Sequence, residues 1–266
     1  MKLPNGELIF YIDKLTAMDV YREIYEDDEY FQFGLEINDG DVIFDIGANI
    51  GIFSSYIASN FKNVKVYTFE PVPQIFKVLE LNMDQFKDEV KVFNIGLSDH
   101  EEVREFNYYP RVSADSTAVP VDEDRQIQYY VDNFDKIQEG MPIAKILPKF
   151  LHKPVIKAWY RHAYKPRKVS CELKPLSKII NQEGITQIDF LKIDAENFER
   201  QVVDGITPDN WSIVSQVAME VHEHIEGGEC LLDEMQALLH QHGFKTHVGN
   251  EYFAPGSGVF MLYGKR

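Results

Sequence analysis

The chain is 266 residues long, 44% hydrophobic and 26% charged, enough to bury a full core as one large α/β domain or two small ones. Its 27 lysines and arginines stand against 43 aspartates and glutamates, a formal charge of −16. That balance argues against nucleic acid, whose phosphates need clustered positive charge, and against docking on an anionic membrane surface.

Cys171 and Cys230 are the only cysteines, too few for a disulfide framework or a thiolate metal site. The opening "MKLPNGELIFYIDK" lacks the charged start and sustained apolar core of a secretion signal. No run reaches membrane-spanning length without a charge, so a soluble cytoplasmic protein is expected.

Residues 7–12 alternate weakly, as a short strand would, and 14–27 read as an acidic helix. VIFDI (42–46) is a buried strand, followed by a helix to about 60. VKVYTF (64–69) is a second strand, after which Pro71 opens a helix over roughly 72–86, and VKVFNI (90–95) is a third. IDFLKI (188–193) leads into a helix at 195–204, and IVSQVAMEV (213–221) into a helix at 229–242. FKTHV and GVFMLYG then close the chain as two strands joined by GNEYFAPGSG, with no helix between them. Apolar strands alternating with helices imply a parallel sheet covered on both faces, here ended by an antiparallel hairpin. Residues 101–170 break the alternation and are expected to be an insertion over a site. The expected organisation is a single domain over 1–266: an N-terminal strand and helical segment (1–40), a cofactor-binding half (41–100), a helical lid (101–170) and the C-terminal half of the sheet (171–266).

In open α/β sheets ligands bind at the carboxyl ends of the strands, where the turn Asp45-Ile-Gly47-Ala-Asn49-Ile-Gly51 lies. A dinucleotide fingerprint would place a glycine where Asn49 stands. The Asp45 carboxylate would repel a pyrophosphate but favour a sulfonium and an ammonium group. Glu70, nineteen residues after Gly51 at the end of the second strand, suits hydrogen bonding to ribose hydroxyls. The two features fit S-adenosylmethionine better than NAD. Against them stands a bland reading, in which Asp45 caps a helix and Glu70 is merely solvated.

"DVIFDIGANIGIFSSYIA", "VYTFEPVPQIFKVLELNM", "VKVFNIGLSD" and "IDFLKIDAENFERQVVDGI", in this order, resemble successive motifs of the FkbM-type methyltransferases, a branch of the class I S-adenosylmethionine-dependent enzymes. The resemblance implies a Rossmann-like, seven-stranded, mostly parallel sheet with an antiparallel last strand, and methyl transfer to oxygen on a small molecule such as a natural-product intermediate. It implies that Asp45, Gly47, Asn49 and Gly51, with Ala48, hold the methionine end of the cofactor. Glu70 and Pro71 would lie at the ribose, Asn94, Leu97 and Ser98 near adenine, and Asp194 beside the methyl group. The family usually carries Glu-Gly after this aspartate, whereas here Glu196 is followed by Asn197.

An aliphatic hydroxyl needs its proton removed as it attacks. Glu220 and His222, two apart at the end of a strand, point to one face, where the carboxylate can orient the imidazole. His222 is therefore the candidate base, with Glu220 and Asp194 as its catalytic companions. Asp194, Glu196, Glu220 and His222 could also hold a divalent magnesium ion, although their spacing matches no strong metal signature, and no metal is favoured. Competing readings are an N-methyltransferase, an NAD-dependent oxidoreductase, and a noncatalytic cofactor-binding protein.

From Gly140 to Cys171 the chain has no acid but carries Lys145, Lys149, Lys153, Lys157, Arg161, Lys165, Arg167 and Lys168, interleaved with Phe150, Leu151, Trp159, Tyr160 and Tyr164. Pro148 and Pro154 are expected to interrupt any single helix there. The run reads either as a lid whose lysines face water or the acidic body, or as a docking face for an acidic partner such as an acyl carrier protein. The aromatics would then wall an acceptor pocket.

Overall fold

The computed structural model describes residues 1–119, 121–134, 148–224, 228, 230–251 and 256–266. After α1 (Lys14–Tyr25), strand β1 (Val42–Ile46) begins the regular alternation, followed by α2 (Ile52–Asn60), β2 (Lys65–Phe69), α3 (Pro73–Met83) and β3 (Val90–Phe93). Next come β4 (Gly96–Leu97), β5 (Glu102–Tyr108), α4 (Glu123–Asp132), α5 (His152–Ala163), β6 (Arg167–Lys174) and α6 (Leu176–Glu183). The C-terminal part holds β7 (Phe190–Ile193), α7 (Glu199–Asp204), α8 (Pro208–Trp211), β8 (Gln216–His222), α9 (Leu231–Gln241), β9 (Lys245–Glu251) and β10 (Val259–Lys265).

The main sheet has seven strands in the order β3-β2-β1-β7-β8-β10-β9. β1 pairs in parallel with both β2 and β7, and β10 slots between β8 and β9, antiparallel to each. This is the expected mostly parallel sheet with an antiparallel last strand. Side chains alternate across it, so Phe190 packs into the core under α1–α3 while Leu191 packs into the core under α6–α9. The sheet also reverses its order at β1/β7, and a crevice at that switch point is where α/β sheets take ligands.

Several boundaries differ from the sequence reading. Residues 7–12 form no strand: Leu8 makes one isolated bridge to Lys2 within a tight turn, and Phe10 instead donates its N–H to Asn82 Oδ1 at 2.8 Å. Pro73, not Pro71, occupies the start of α3, where a missing N–H costs nothing. Residues 195–198 precede α7 as a loop, with Glu196 at φ 47° and Asn197 at φ 71°. An asparagine tolerates that left-handed region better than most residues, which accounts for Asn where the family usually has Gly. Helices α6 and α8 carry no periodic run long enough to announce them.

The 101–170 region is not purely helical. Its two ends are β5 and β6, an antiparallel pair that with β4 makes a separate three-stranded sheet. Between them α4 and α5 pack through Ile127, Phe134, Ile156 and Tyr160. Pro154 lies in the first turn of α5, so it starts that helix rather than breaking it. No helix among the described residues is long and apolar enough to cross a membrane.

Candidate active site

The carboxyl ends of β1, β2, β7 and β8 open into one cavity of about 1260 Å³, roofed by the 109–116 segment and the faces of α4 and α5. Gly47, at φ 76°, makes the turn out of β1. A Cβ there would stand 1.6 Å from the Asp194 carbonyl, so the space a side chain would fill is taken by the chain after β7 rather than by a ligand. The turn is strapped to β2 as well, since Gly47 and Ala48 donate their N–H groups to the Phe69 carbonyl at 3.1 and 3.0 Å.

The expected cofactor residues separate into two sets. Gly47, Ala48, Asn49, Glu70, Pro71, Leu97 and Asp194 line the cavity. Asp45, Gly51 and Ser98 stand behind the wall, and Asn94 lies exposed outside it. Asp45 is fully buried, accepting from Ser54 Oγ at 2.7 Å and facing Lys192 Nζ at 3.3 Å. Gly51 caps α2 against Leu79 and Met83. Asn94 donates Nδ2 to the Glu70 and Pro71 carbonyls at 2.9 and 3.1 Å, and so braces the turn after β2. Ser98 Oγ donates to Asp99 Oδ1 at 3.0 Å.

Glu70 is the best-defined anchor. One carboxylate oxygen accepts the Asn49 N–H at 3.1 Å and the other the Val72 N–H at 2.8 Å, leaving each oxygen a lone pair toward the cavity. Burial pushes its pKa up to about 8 against those two donors. The side-chain Oδ1 and Nδ2 of Asn49, on the same wall, are buried without a hydrogen-bond partner. Orphaned donors and acceptors beside an anchored carboxylate suit a polar nucleoside, so the residues present fit S-adenosylmethionine.

Lys192 is a buried residue at the site that the sequence reading passed over. It sits inside β7, 3% exposed, with Nζ 3.3 Å from Asp45, 3.1 Å from Asp194 and 3.3 Å from the Gly47 carbonyl. Burial alone would lower its pKa, but the two carboxylates outweigh this and raise it. Tyr30 also reaches Asp194, its hydroxyl donating at 3.3 Å. Asp194 is thereby fixed at the cavity wall by a cation and a phenol.

At the end of β8, the strand next to β7, stand His222 and Glu220, sharing one face of the strand as expected. The ring's nearest partner is Glu199, however: its Oε1 lies 2.9 Å from Nδ1, while Glu196 and Glu220 lie 3.6 and 3.7 Å from Nε2. The carboxylate bonded to the ring is thus Glu199 rather than the expected Glu220; it has no exposed surface, stands at the start of α7 and also accepts the Asn197 N–H at 3.0 Å. Burial would lower the His222 pKa, and Glu199, with Glu196 and Glu220, holds it well above the ordinary histidine range. Burial also raises Glu196 and Glu220 well above the usual carboxylate range, with His222 opposing in each case. Among the described residues, no group of three or more His, Cys, Asp or Glu side chains is arranged to hold a metal ion.

The basic run largely finds partners inside the lid. Arg161 Nε donates to Glu123 at 2.7 Å, Lys157 lies 3.9 Å from Asp124, Lys153 donates to Gln128 at 3.1 Å, and Lys168 lies 3.1 Å from Glu105. Thus α5 turns its positive stripe toward α4, whose first turn is acidic. Lys145 falls outside the described residues.

The sheet order, the glycine turn and the anchored glutamate define a class I methyltransferase, and the chain belongs to the FkbM methyltransferase family, whose domain matches residues 45–246. It is 28% identical to the 31-O-demethyl-FK506 methyltransferase FkbM of Streptomyces tacrolimicus, over 100% of this chain and 96% of that protein. It is 32% identical over 99% of its length to the AMB antimetabolite synthetase AmbE of Pseudomonas aeruginosa, of whose much longer chain it spans 12%. A crystal structure of a SAM-dependent methyltransferase from Aquifex aeolicus superposes with a TM-score of 0.43 at 11% identity, over 96% of this chain and 98% of that one.

Proposed function

We propose that the protein transfers a methyl group from S-adenosylmethionine to a hydroxyl of a small molecule. The observation that carries this reading is that one cavity joins the Glu70–Asn49 wall, suited to a nucleoside, to the His222–glutamate wall, suited to proton removal. When bound, S-adenosylmethionine supplies an electrophilic methyl on its sulfonium. Asp194, held by Lys192 and Tyr30, would stand beside the methionine end. As the new carbon–oxygen bond forms, the hydroxyl proton passes to His222 Nε2, and Glu199 stabilises the imidazolium that results. The name of the Streptomyces relative describes an O-demethyl acceptor, which supports oxygen over nitrogen.

Calorimetric titration tests the cofactor half. S-adenosylhomocysteine is expected to bind and NAD is not, and the reverse order would overturn the reading. Glu70→Ala should weaken S-adenosylhomocysteine binding at least about tenfold, because charge-assisted hydrogen bonds to two hydroxyls are lost. The carboxylate form is the one that accepts those hydroxyls. Wild-type affinity should therefore fall as the pH drops below about 8, whereas Glu70→Gln should show no such slope. An unaltered affinity in folded Glu70→Ala would remove the residue from the site.

We further propose that the described residues of the 101–170 region, 101–119, 121–134 and 148–170, close over the acceptor, since Tyr109, Tyr130, Trp159 and Tyr164 all line the cavity from it. Elements that close on ligand come from the less stable parts of a fold. Amide hydrogen exchange over 121–134 and 152–164 should slow on saturation with S-adenosylhomocysteine. Identical exchange with and without it would count against closure.

A further inference from the structure

Asp115 is a carboxylate in an aromatic wall. It lines the cavity together with Tyr109, Tyr130, Trp159 and Tyr164. Its Oδ2 accepts the Tyr164 hydroxyl, which also bonds Tyr130 Oη at 3.0 Å, so two phenols fix the carboxylate's position. The rings are held in turn: Tyr109 meets Tyr164 edge-on at 5.3 Å and Tyr130 meets Trp159 edge-on at 5.2 Å. Among the described residues no lysine or arginine forms an ion pair with Asp115, and the positive group that acts on it is the His222 ring. The lid's cations are turned outward to α4 and β5, and Lys192 is committed to Asp45 and Asp194.

Carboxylates also outnumber lysines and arginines over the whole cavity wall described. Two further polar atoms on that wall, Tyr129 Oη and His224 Nδ1, are buried without partners. A fixed carboxylate with no lysine or arginine paired to it, set among aromatic rings, is the chemistry that recognises an alkylammonium, through charge, hydrogen bonding and cation–π attraction together.

We infer that the acceptor is an amine-bearing molecule whose ammonium group docks on Asp115 within the Tyr109–Tyr130–Trp159–Tyr164 wall, while its hydroxyl reaches His222. This rests on the methyl-transfer reading and adds the substrate class to it. A neutral alcohol of the same shape leaves Asp115 without a cation and packs on the rings without cation–π attraction. Burial raises the Asp115 pKa to about 6, so near neutral pH the group is charged and gains from an arriving cation.

The test compares tyramine with 4-ethylphenol, which share ring and hydroxyl but differ in the ammonium. Binding of each is measured by ligand-observed nuclear magnetic resonance on the full chain saturated with S-adenosylhomocysteine. Tyramine should bind at least about tenfold more tightly, the size of a charge-assisted contact. That preference should fall to within about threefold in Asp115→Asn, which keeps the shape and an acceptor for Tyr164. Tyr164→Phe, which loosens the carboxylate but keeps the ring, should reduce the preference less. Equal binding of the two probes, binding of neither, or a preference that survives Asp115→Asn in a variant that still binds S-adenosylhomocysteine would overturn the inference. Failure of the wild type to bind S-adenosylhomocysteine is a different result, and it overturns the methyl-transfer reading itself.

Discussion

Replacing His222 by alanine is expected to lower the single-turnover rate of methyl transfer by about 10²–10⁴-fold, the range a positioned general base contributes, with little change in cofactor affinity. The pH dependence should carry the signature of its surroundings. The ring must be neutral to accept a proton, and among the described residues the charged groups against it are carboxylates: Glu199 from α7, Glu196 from the loop before it, and Glu220 beside it on β8. Asp115 is a further carboxylate that interacts with it electrostatically, and His224, its neighbour at 5.4 Å, is held neutral by burial, its pKa pushed down to about 4.

These carboxylates raise the pKa of the ring, so the rate should climb with pH along a limb well to the alkaline side of an ordinary histidine. Glu199→Gln keeps an acceptor for Nδ1–H and removes its charge, so that limb should move to lower pH. Glu220→Gln should cost less than His222→Ala, and the double change much less than the product of the two, because both act through one ring. Rapid-quench single turnovers across pH measure all of this without product release intervening. A wild-type rate in His222→Ala that still binds S-adenosylhomocysteine, or a limb that stays put in Glu199→Gln, would show that the base lies elsewhere.

The parts of this site that could be read from sequence are those where one short run sets both fold and chemistry. "VIFDIGANIG" and "TFEP" each end a strand with their ligand-facing residues in the turn, so local pattern was enough to place Asn49 and Glu70 on one wall. Glu199 could not be found in that way. In "DAENFERQ" it looks like a solvated carboxylate opening a helix, and only the left-handed turn through Glu196 and Asn197 carries it under the sheet end to His222. Asp45 was expected at the ligand but is buried behind the cavity wall, because the cation that holds it lies 147 residues away in the sequence. The β5–β6 pair was hidden for a similar reason: its partners flank a long stretch of irregular sequence, and nothing local signals a ladder that closes over such a distance. Yet Lys192 left a signal. A parallel strand buried on both faces has no place for a lysine unless a carboxylate meets it, and the residue beside Lys192 on β1 is Asp45.

That pairing makes Lys192 the residue whose loss should cost most stability. Lys192→Met keeps the length and apolar body of the side chain, but leaves the fully buried Asp45 facing no cation and Asp194 with only the Tyr30 hydroxyl. Breaking a buried pair by removing one partner costs about 3–5 kcal/mol, because the remaining charge has lost its solvent and gained nothing in return. For a chain of this size the melting temperature should drop by roughly 10 °C. The cost arises from the stranded carboxylate, not from lost packing, so Asp45→Asn added to Lys192→Met should restore part of it while still accepting from Ser54 Oγ. The pH dependence has a definite sign. The lysine's pKa is raised in the folded state, so its contribution is fully present below the unfolded value of about 10.4 and fades only as the pH rises beyond it. The difference between wild type and Lys192→Met should therefore be flat from pH 6 to about 9. Urea unfolding at several pH values measures it directly. A loss under about 1 kcal/mol, or a double variant less stable than Lys192→Met alone, would mean that the Asp45–Lys192–Asp194 triad does not hold the ends of β1 and β7 together.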